Sequence, residues 1–449
     1  MEDLLKKIAG YSAQYLAHLK TRRVSPSPEA LEKLNQFDIP LPENPTDPAD
    51  VIKQLHEIGS PATIASAGGR YFGFVIGGSL PAALAANWLA GAWDNNAAFS
   101  VSSPTGAFIE EVAVEWLIDI LKLPKACTGS LVTGTTMANM TSLAAARNYI
   151  LKKAGWDVES KGLFGAPDVT VIVGKEVHPT LLKALGILGM GRERVITIPV
   201  DNQGRMLVSK LSQISGPAIV CTQAGNVNSG AFDSLEEIIE TSHNAGAWVH
   251  VDCAFGVWAN ASEKYCHLTK GIEKADSWAT DLHKWLNVPY DSGAAFVRHK
   301  QSLIEAMSLT ATYLPDTDNR EPFYFTPETS RRARGVEVWA ALKSLGRKGM
   351  AEMVERHCEY AKMFAKELSD AGFKILNDVV LNQVLVSFGD KETNSKVVSA
   401  IQDDGTCWCG VTEWQGIPAM RISISSWATT EDDIKLCVDA IIKIAKSII

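Results

Sequence analysis

The chain lacks the features that would place it in a membrane or on nucleic acid. No apolar run among its 449 residues is long enough to cross a bilayer. Its 43 Lys and Arg residues are outnumbered by 51 Asp and Glu residues, which gives a formal net charge of −8. Clustered positive charge, which contacts with nucleic-acid phosphates require, is therefore missing. We expect neither a membrane nor a nucleic-acid partner.

Features of secretion and of metal binding are also scarce. The N-terminus mixes charges of both signs and has neither the apolar core nor the cleavage site of a signal peptide. Eight cysteines are spread too widely for a disulfide framework. The close pair Cys407 and Cys409 has neither the spacing nor the second pair of a zinc site, so we expect no metal. These properties predict a cytoplasmic protein.

Strand-like and helix-like segments alternate through the middle of the chain. Short apolar runs are separated by amphipathic segments of helical length, which implies parallel strands joined by helical crossovers. This pattern predicts a doubly wound α/β sheet with its site at the carboxyl ends of the strands. The strands predicted there are residues 169–173, 195–198, 218–222 and 248–251.

The two ends of the chain differ from this middle part. Residues 1–65 combine a helix with a proline-rich connector and have little core of their own, which predicts an arm packed on a partner subunit or on the rest of the chain. Residues 66–340 form the predicted large α/β domain. Residues 341–449 follow the start of a long helix, predicted over 335–368, and contain strands and a closing helix, which predicts a smaller α+β domain.

Two strand-like segments end in side chains that suit one cofactor. Asp252 closes the apolar run Trp248–Val251 and needs a positive partner, such as a protonated pyridine nitrogen, unless it only caps a helix. Lys284 follows another strand, and partial burial between His283 and Trp285 would free its amine for a Schiff base. An ordinary surface lysine is the alternative. Together the acid and the lysine indicate pyridoxal phosphate, whose ring withdraws electrons.

Two further segments could complete such a site. The turn Gly134-Thr135-Thr136 opens a helix and offers N–H groups and hydroxyls to a phosphate, although similar turns also serve only as helix caps. His178 stands between a strand and a helix that begins near Pro179, where its ring could lie on the cofactor. A histidine in a loop is otherwise a common hydrogen-bonding surface residue.

These residues together resemble the group II pyridoxal-phosphate-dependent amino-acid decarboxylases over nearly the whole chain. His250-Val251-Asp252 is similar to the family's acid-bearing strand, and His283-Lys284-Trp285 is similar to its cofactor-lysine motif. Asp252 and Lys284 lie 32 positions apart, as in the family. The resemblance implies the fold of the pyridoxal-phosphate-dependent transferases (fold type I), a homodimer, and decarboxylation of an L-amino acid to an amine and carbon dioxide.

The resemblance also implies a role for each matching residue. It makes Lys284 the Schiff-base lysine, Asp252 the partner of the pyridine nitrogen and His178 the residue stacked on the ring. The remaining cofactor contacts that it implies are Thr135, Thr136 and His283 at the phosphate, Ala254 beneath the ring, and Asn228 in place of a threonine-rich turn of the family.

The product and the substrate are less closely defined. Tyr313 lies in a segment that resembles the family's catalytic loop, whose tyrosine returns a proton after carbon dioxide leaves; an ordinary surface loop is the alternative. An aldehyde synthase, a carbon–carbon lyase and a non-catalytic binding protein of the same fold are the alternative functions. Aromatic residues favour an aromatic amino acid as substrate, although they are equally expected in core packing: Tyr71, Phe72, Phe74, Trp88 and Trp93.

Overall fold

The computed structural model describes residues 1–211, 214–308 and 320–449. Within these residues the chain forms two compact units. The large unit comprises Ser79–Lys362 and Asn377–Val384, and the small unit comprises Met1–Gly78, Met363–Leu376 and Leu385–Ile449. The three-domain division proposed from the sequence stays a prediction.

The N-terminal arm is helical but contributes little to a core. Its helices are α1 (Glu2–His18), α2 (Pro28–Glu32), α3 (Pro48–Gln54) and α4 (Ser60–Ala62), and none of them contains a buried residue. Proline suits the first position of α2 and α3 because the N–H it lacks would be unpaired there in any case. Ser27 and Asp47 cap these two helices by accepting hydrogen bonds from the N–H groups of Ala30 and Ala49.

Among the described residues of the large unit, seven strands form one sheet. The strands are β1 (Thr128–Val132), β2 (Thr170–Gly174), β3 (Ile196–Ile198), β4 (Ala218–Gln223), β5 (Trp248–Asp252), β6 (Ser277–Asp281) and β7 (Gly293–Val297). Their order across the sheet is β1-β7-β6-β5-β4-β2-β3. Strand β7 runs antiparallel to both of its neighbours, and the remaining pairs are parallel. The predicted α/β fold class is confirmed.

Helices precede, connect and follow these strands. They are α5 (Pro81–Trp93), α6 (Pro104–Ile120), α7 (Thr135–Lys153), α8 (Val158–Lys161), α9 (Pro179–Ile187), α10 (Leu235–Asn244) and α11 (Lys300–Met307). Helix α7 packs against β5, β6 and β7 and contains twelve buried residues, so its first turn is held firmly at one end of the sheet.

The C-terminal part begins with a helical segment, α12 (Arg334–Asp370). The prediction of one continuous helix is wrong here, because Gly346 has φ 59° and ψ −178°, a conformation that interrupts a helix. A four-stranded sheet follows in the order β10-β11-β9-β8. The elements after α12 are β8 (Lys374–Ile375), β9 (Gln383–Ser387), α13 (Lys391–Asp404), β10 (Gly410–Trp414), β11 (Ile417–Ser423) and α14 (Glu431–Ile448).

Over the described ranges, every helix falls short of the length and apolar character that a membrane span requires.

Candidate active site

The carboxyl ends of β4, β5 and β6 and the first turn of α7 surround a cavity of about 380 Å³. Parallel strands direct their C-terminal loops to one edge of a sheet, which is where ligands bind in folds of this kind. Of the nine site residues predicted from the sequence, seven line this cavity: Thr135, Thr136, His178, Asp252, Ala254, His283 and Lys284.

The other two predicted residues have different outcomes. Asn228 is not among the residues that line the described cavity, whereas its neighbours Gly225 and Val227 are. Its backbone N–H instead donates to Oδ1 of Asn226, 2.9 Å away, which closes a local turn. Tyr313 lies outside the described residues. The role of each residue remains a prediction.

Lys284 is largely buried and forms an ion pair with a residue that had no predicted role. Its Nζ atom lies 2.7 Å from Oδ2 of Asp281, the last residue of β6. The other oxygen of Asp281 accepts a hydrogen bond from the Thr135 N–H (2.6 Å) and lies 3.3 Å from Nε2 of His283. Burial alone would raise the pKa of Asp281, but Lys284, His283 and the Thr135 N–H outweigh it and hold that pKa below its usual range.

Asp252 is the second buried acid of the cavity, and its electrostatic environment is different. Burial raises the pKa of Asp252, while His178, Lys284 and a hydrogen bond from Asn139 lower it only in part. The Nδ2 atom of Asn139 donates to Oδ2 of Asp252 over 3.3 Å. A cation placed against Asp252 would stabilise its ionised form, and a protonated pyridine nitrogen is such a cation.

A chain of buried hydrogen bonds reaches Asp252 from inside the sheet. The indole N–H of Trp248 donates to Oγ of Ser277, which lies 2.9 Å from Nδ1 of His250. Nε2 of His250 lies 2.9 Å from Oδ1 of Asn139. Burial lowers the pKa of His250 to about 3, so its ring is neutral and carries one N–H. With the Asn139 amide group donating to Asp252, the consistent tautomer has the proton on Nε2.

Sequence reasoning missed Asn139, although one signal could have revealed it. Asn139 follows Thr135 by four positions on α7, so the two side chains lie on the same face of the helix.

The buried Thr135 hydroxyl has no hydrogen-bond partner among the described residues. Gly134, just before the first turn of α7, allows that turn to lie close to Asp281 and His283. A Cβ on Gly134 would lie 3.1 Å from both Asp281 Oδ1 and His283 Cε1. A helix N-terminus with an unsatisfied hydroxyl fits the phosphate of pyridoxal phosphate.

His178 has a structural role in addition to its predicted one. It is the N-cap of α9, and its Nδ1 atom accepts the N–H of Thr180 and lies 2.7 Å from the hydroxyl of that residue. His283 accepts a hydrogen bond from the Ser292 N–H and stacks on Tyr290, with ring centroids 4.1 Å apart. Local contacts thus hold the imidazole rings of His178 and His283 in the cavity wall.

The aromatic residues that favoured an aromatic substrate do not all have one kind of environment. Trp88 and Trp93 lie on α5, are 44% and 42% exposed, and do not line the cavity of their own unit. In the small unit, Tyr71 is buried and stacks on Trp408, which also packs against Phe74. The contacts with Trp408 thus account for Tyr71 and Phe74 without a substrate, and Trp88 and Trp93 give no support for an aromatic one.

Comparison with known proteins agrees with this geometry. The family model described as the pyridoxal-dependent decarboxylase conserved domain matches residues 28–390. An aromatic-L-amino-acid decarboxylase of Bacillus atrophaeus is 26% identical over 95% of this chain and 93% of its own length. The acidic amino acid decarboxylase GADL1 of Mus musculus is 32% identical over 61% of this chain and 52% of its own length. The crystal structure of Oryza sativa TDC with PLP and tryptamine matches the fold with a TM-score of 0.92 at 21% identity, over 99% of this chain and 97% of that one.

The chain belongs to the pyridoxal-dependent decarboxylase family. It is a carboxy-lyase whose cofactor is pyridoxal 5′-phosphate, and the resemblance drawn from its two motifs is confirmed.

Proposed function

We propose that the enzyme decarboxylates an aromatic L-amino acid to the corresponding amine, with the cofactor held on Lys284. The observation that carries the choice of substrate is the composition of the cavity wall. Lys284 is the only Lys or Arg among the described residues that line it, whereas Met137, Val227, Phe255 and Tyr290 contribute large uncharged surfaces. An acidic substrate side chain would need a second cation there, because a buried carboxylate without a partner is costly.

The side chains of the cavity, together with Tyr313, divide the proposed chemistry between them. Pyridoxal phosphate, when bound, withdraws the electron pair that the departing carboxylate leaves behind. Asp252 keeps the ring nitrogen protonated, His178 covers the ring, and Thr135, Thr136 and His283 hold the phosphate. Tyr313 returns a proton to the substrate carbon that has lost carbon dioxide. The proposal of an amine rather than an aldehyde as product rests on this tyrosine, as the resemblance implies.

A panel of free amino acids tests the substrate and the product in one assay. We expect carbon dioxide and a stoichiometric amine from at least one of tryptophan, tyrosine and phenylalanine, and at least tenfold lower kcat/KM for glutamate and aspartate, which is about 1.4 kcal/mol of discrimination. Lys284→Ala should lose both the reaction and the visible absorbance of the bound cofactor. Preferred turnover of an acidic amino acid would overturn the proposal.

The same assay distinguishes the roles of two tyrosines. Tyr313→Phe should lose amine formation and release aldehyde when oxygen is present, while Tyr360→Phe on α12 serves as the matched control and should behave as the wild type. Amine formation by Tyr313→Phe at the wild-type rate would contradict the proposed role of Tyr313.

We also propose a cytosolic homodimer. The eight cysteines are free thiols, seven of them buried, which suits a reducing compartment. The N-terminal arm favours a second copy of the chain as the partner. Its helices have no buried residues, and its apolar residues Ile39, Leu41 and Leu55 are 59%, 93% and 52% exposed.

A further inference from the structure

We propose that Asp281 is a positioning residue that holds Lys284 as an ammonium ion whenever its amine is free, both before the cofactor binds and after a substrate amine has displaced the lysine from it. The proposal deepens the proposed function and rests on the role given there to Lys284. It assigns the second buried acid of the cavity to the lysine and leaves the first acid, Asp252, to the cofactor ring.

The geometry of the pair is that of a fixed, charge-assisted hydrogen bond. The side chains of Asp281 and Lys284 are 5% and 17% exposed, and Nζ of Lys284 lies 2.7 Å from Oδ2 of Asp281. Water screens such a pair far less than it screens an ion pair on the surface. The other carboxylate oxygen is bound by the Thr135 N–H at 2.6 Å, so the carboxylate cannot turn away from Lys284 without breaking a bond to the first turn of α7.

The charges in the cavity favour Asp281 over Asp252 as the partner of the ammonium. The titratable groups of the described cavity wall are His178, Asp252, Asp281, His283, Lys284 and Tyr290. Burial raises the pKa of Asp252, whereas the contacts of Asp281 hold its pKa below the usual range. Two acids with opposite shifts in one cavity suit two separate tasks.

A hydrogen bond to Thr135 alone would give Asp281 a purely structural role. Asparagine can accept the same N–H bond with its side-chain oxygen, but it has no charge with which to hold an ammonium ion. The substitution Asp281→Asn therefore separates the two roles. It preserves the contact with α7 and removes the counter-charge of Lys284.

This difference predicts how fast the lysine reacts with the cofactor. When Lys284 forms its Schiff base, Nζ must first lose its proton to solvent; the amine then adds to the aldehyde carbon and water leaves. A carboxylate 2.7 Å from Nζ stabilises the ammonium form, so removing it should shift the rate profile of the reaction to lower pH. At pH 7, cofactor loading should become about tenfold faster.

The experiment uses the full-length holoenzyme, stripped of cofactor with hydroxylamine and dialysed. Pyridoxal phosphate is added back between pH 6 and pH 9, and the visible absorbance is followed by stopped flow. Asp281→Asn should shift the rate profile to lower pH with little change in melting temperature. The matched control is Asp291→Asn, which removes a carboxylate that pairs with Arg334 rather than with Lys284 and should leave the midpoint in place.

The outcomes separate this proposal from the proposed function. If wild type and Lys284→Ala load the cofactor alike, the assignment of Lys284 itself fails. If Lys284 is required but the Asp281→Asn profile coincides with that of the wild type, the role of Asp281 is refuted and that of Lys284 stands. If Asp281→Asn does not fold, Asp281→Ser also removes the counter-charge, and its melting temperature shows whether the loss of the Thr135 contact matters. Slower loading at every pH together with a lower melting temperature would show a structural role only and overturn the proposal.

Discussion

His250 shows how a residue outside the cavity can affect an acid inside it. Its imidazole is fully buried in β5 between Ser277 and Asn139, and Asn139 in turn donates to Asp252. Burial lowers the pKa of His250, so the ring stays neutral and adds no charge near the cofactor site. A neutral donor oriented in this way fixes the Asn139 amide so that its NH₂ group, not its oxygen, faces Asp252.

The neutral ring gives the protein a measurable sensitivity to acid. The pKa of His250 falls from 6.5 to about 3 on folding, so between these pH values the unfolded chain binds a proton that the folded chain does not. The contribution of His250 to the free energy of unfolding is therefore complete above pH 6.5 and is lost, by up to about 1.4 kcal/mol per pH unit, as the pH falls toward 3.

Replacing this histidine should remove that dependence. We expect His250→Gln to be less stable than the wild type at neutral pH. Between pH 6 and pH 4.5, however, its free energy of unfolding should fall less steeply than that of the wild type, by a difference of about 1 kcal/mol per pH unit. Urea unfolding of the holoenzyme measures both slopes. His267→Gln, at an exposed position, is the control and should keep the wild-type slope. An unchanged slope in His250→Gln would contradict a neutral buried ring.

At the scale of secondary structure, the first turn of α7 depends on the start of β7. A Cβ on Gly293 would lie 2.5 Å from Cα of Gly134, the residue just before α7. The obstacle is backbone, so it cannot move aside as a side chain can. Only glycine allows β7 to approach the turn that we assign to the phosphate.

Gly293→Ala should therefore act on the cofactor and not only on stability. Displacing the backbone at Gly134 misplaces the N–H groups and the hydroxyls of the first turn, and we expect the Kd for pyridoxal phosphate to rise by at least about tenfold, about 1.4 kcal/mol. Equilibrium titration of the apoenzyme measures this change. Gly186→Ala is the matched control: it lies on the exposed side of α9, where an added Cβ meets nothing within 4 Å, and should leave the Kd unchanged.

Two of the strands that the sequence did not predict contain residues that suit close packing more than strand formation. Strands β1 and β7 contain Gly129, Ala294 and Ala295, residue types with low strand propensity. The structure explains the small residue in β1, since a Cβ on Gly129 would lie 2.7 Å from Phe296. By contrast, β4 and β5 are apolar runs between turns, and their predicted bounds agree with the structure to within one residue.

The same distinction applies to the site. Asp252 and Lys284 were found because each follows a recognisable strand and motif. Lys284, the partner proposed for Asp281, is only three positions away. The contacts that orient Asp281 and Asn139, however, come from residues distant in the chain: Thr135 lies 146 positions from Asp281, and His250 lies 111 positions from Asn139. Such contacts exist only once the sheet has formed around α7, so the spacing of Thr135 and Asn139 can indicate a shared helix face but cannot reveal these partners.

At the scale of the whole molecule, the N-terminal arm is the feature that a single copy of the chain explains least. Helices need an apolar face packed against something to be stable, since short isolated helices are marginal in water. Yet α1 to α4 contain no buried residue, and the apolar residues of the segment are largely exposed. A second copy of the chain would supply the missing surface, as proposed above.

A charge placed on the arm should weaken this association without unfolding either unit. We expect the wild type to have twice the 48.6 kDa mass of the chain in light scattering coupled to size exclusion. Leu41 is 93% exposed in the single chain, so Leu41→Asp costs little there, whereas a carboxylate buried in an apolar interface should raise the dimer Kd by at least about tenfold. Phe164→Asp, 98% exposed in the large unit, is the matched control and should remain dimeric. A monomeric wild type, or a Leu41→Asp variant that associates as tightly as the control, would refute the role of the arm.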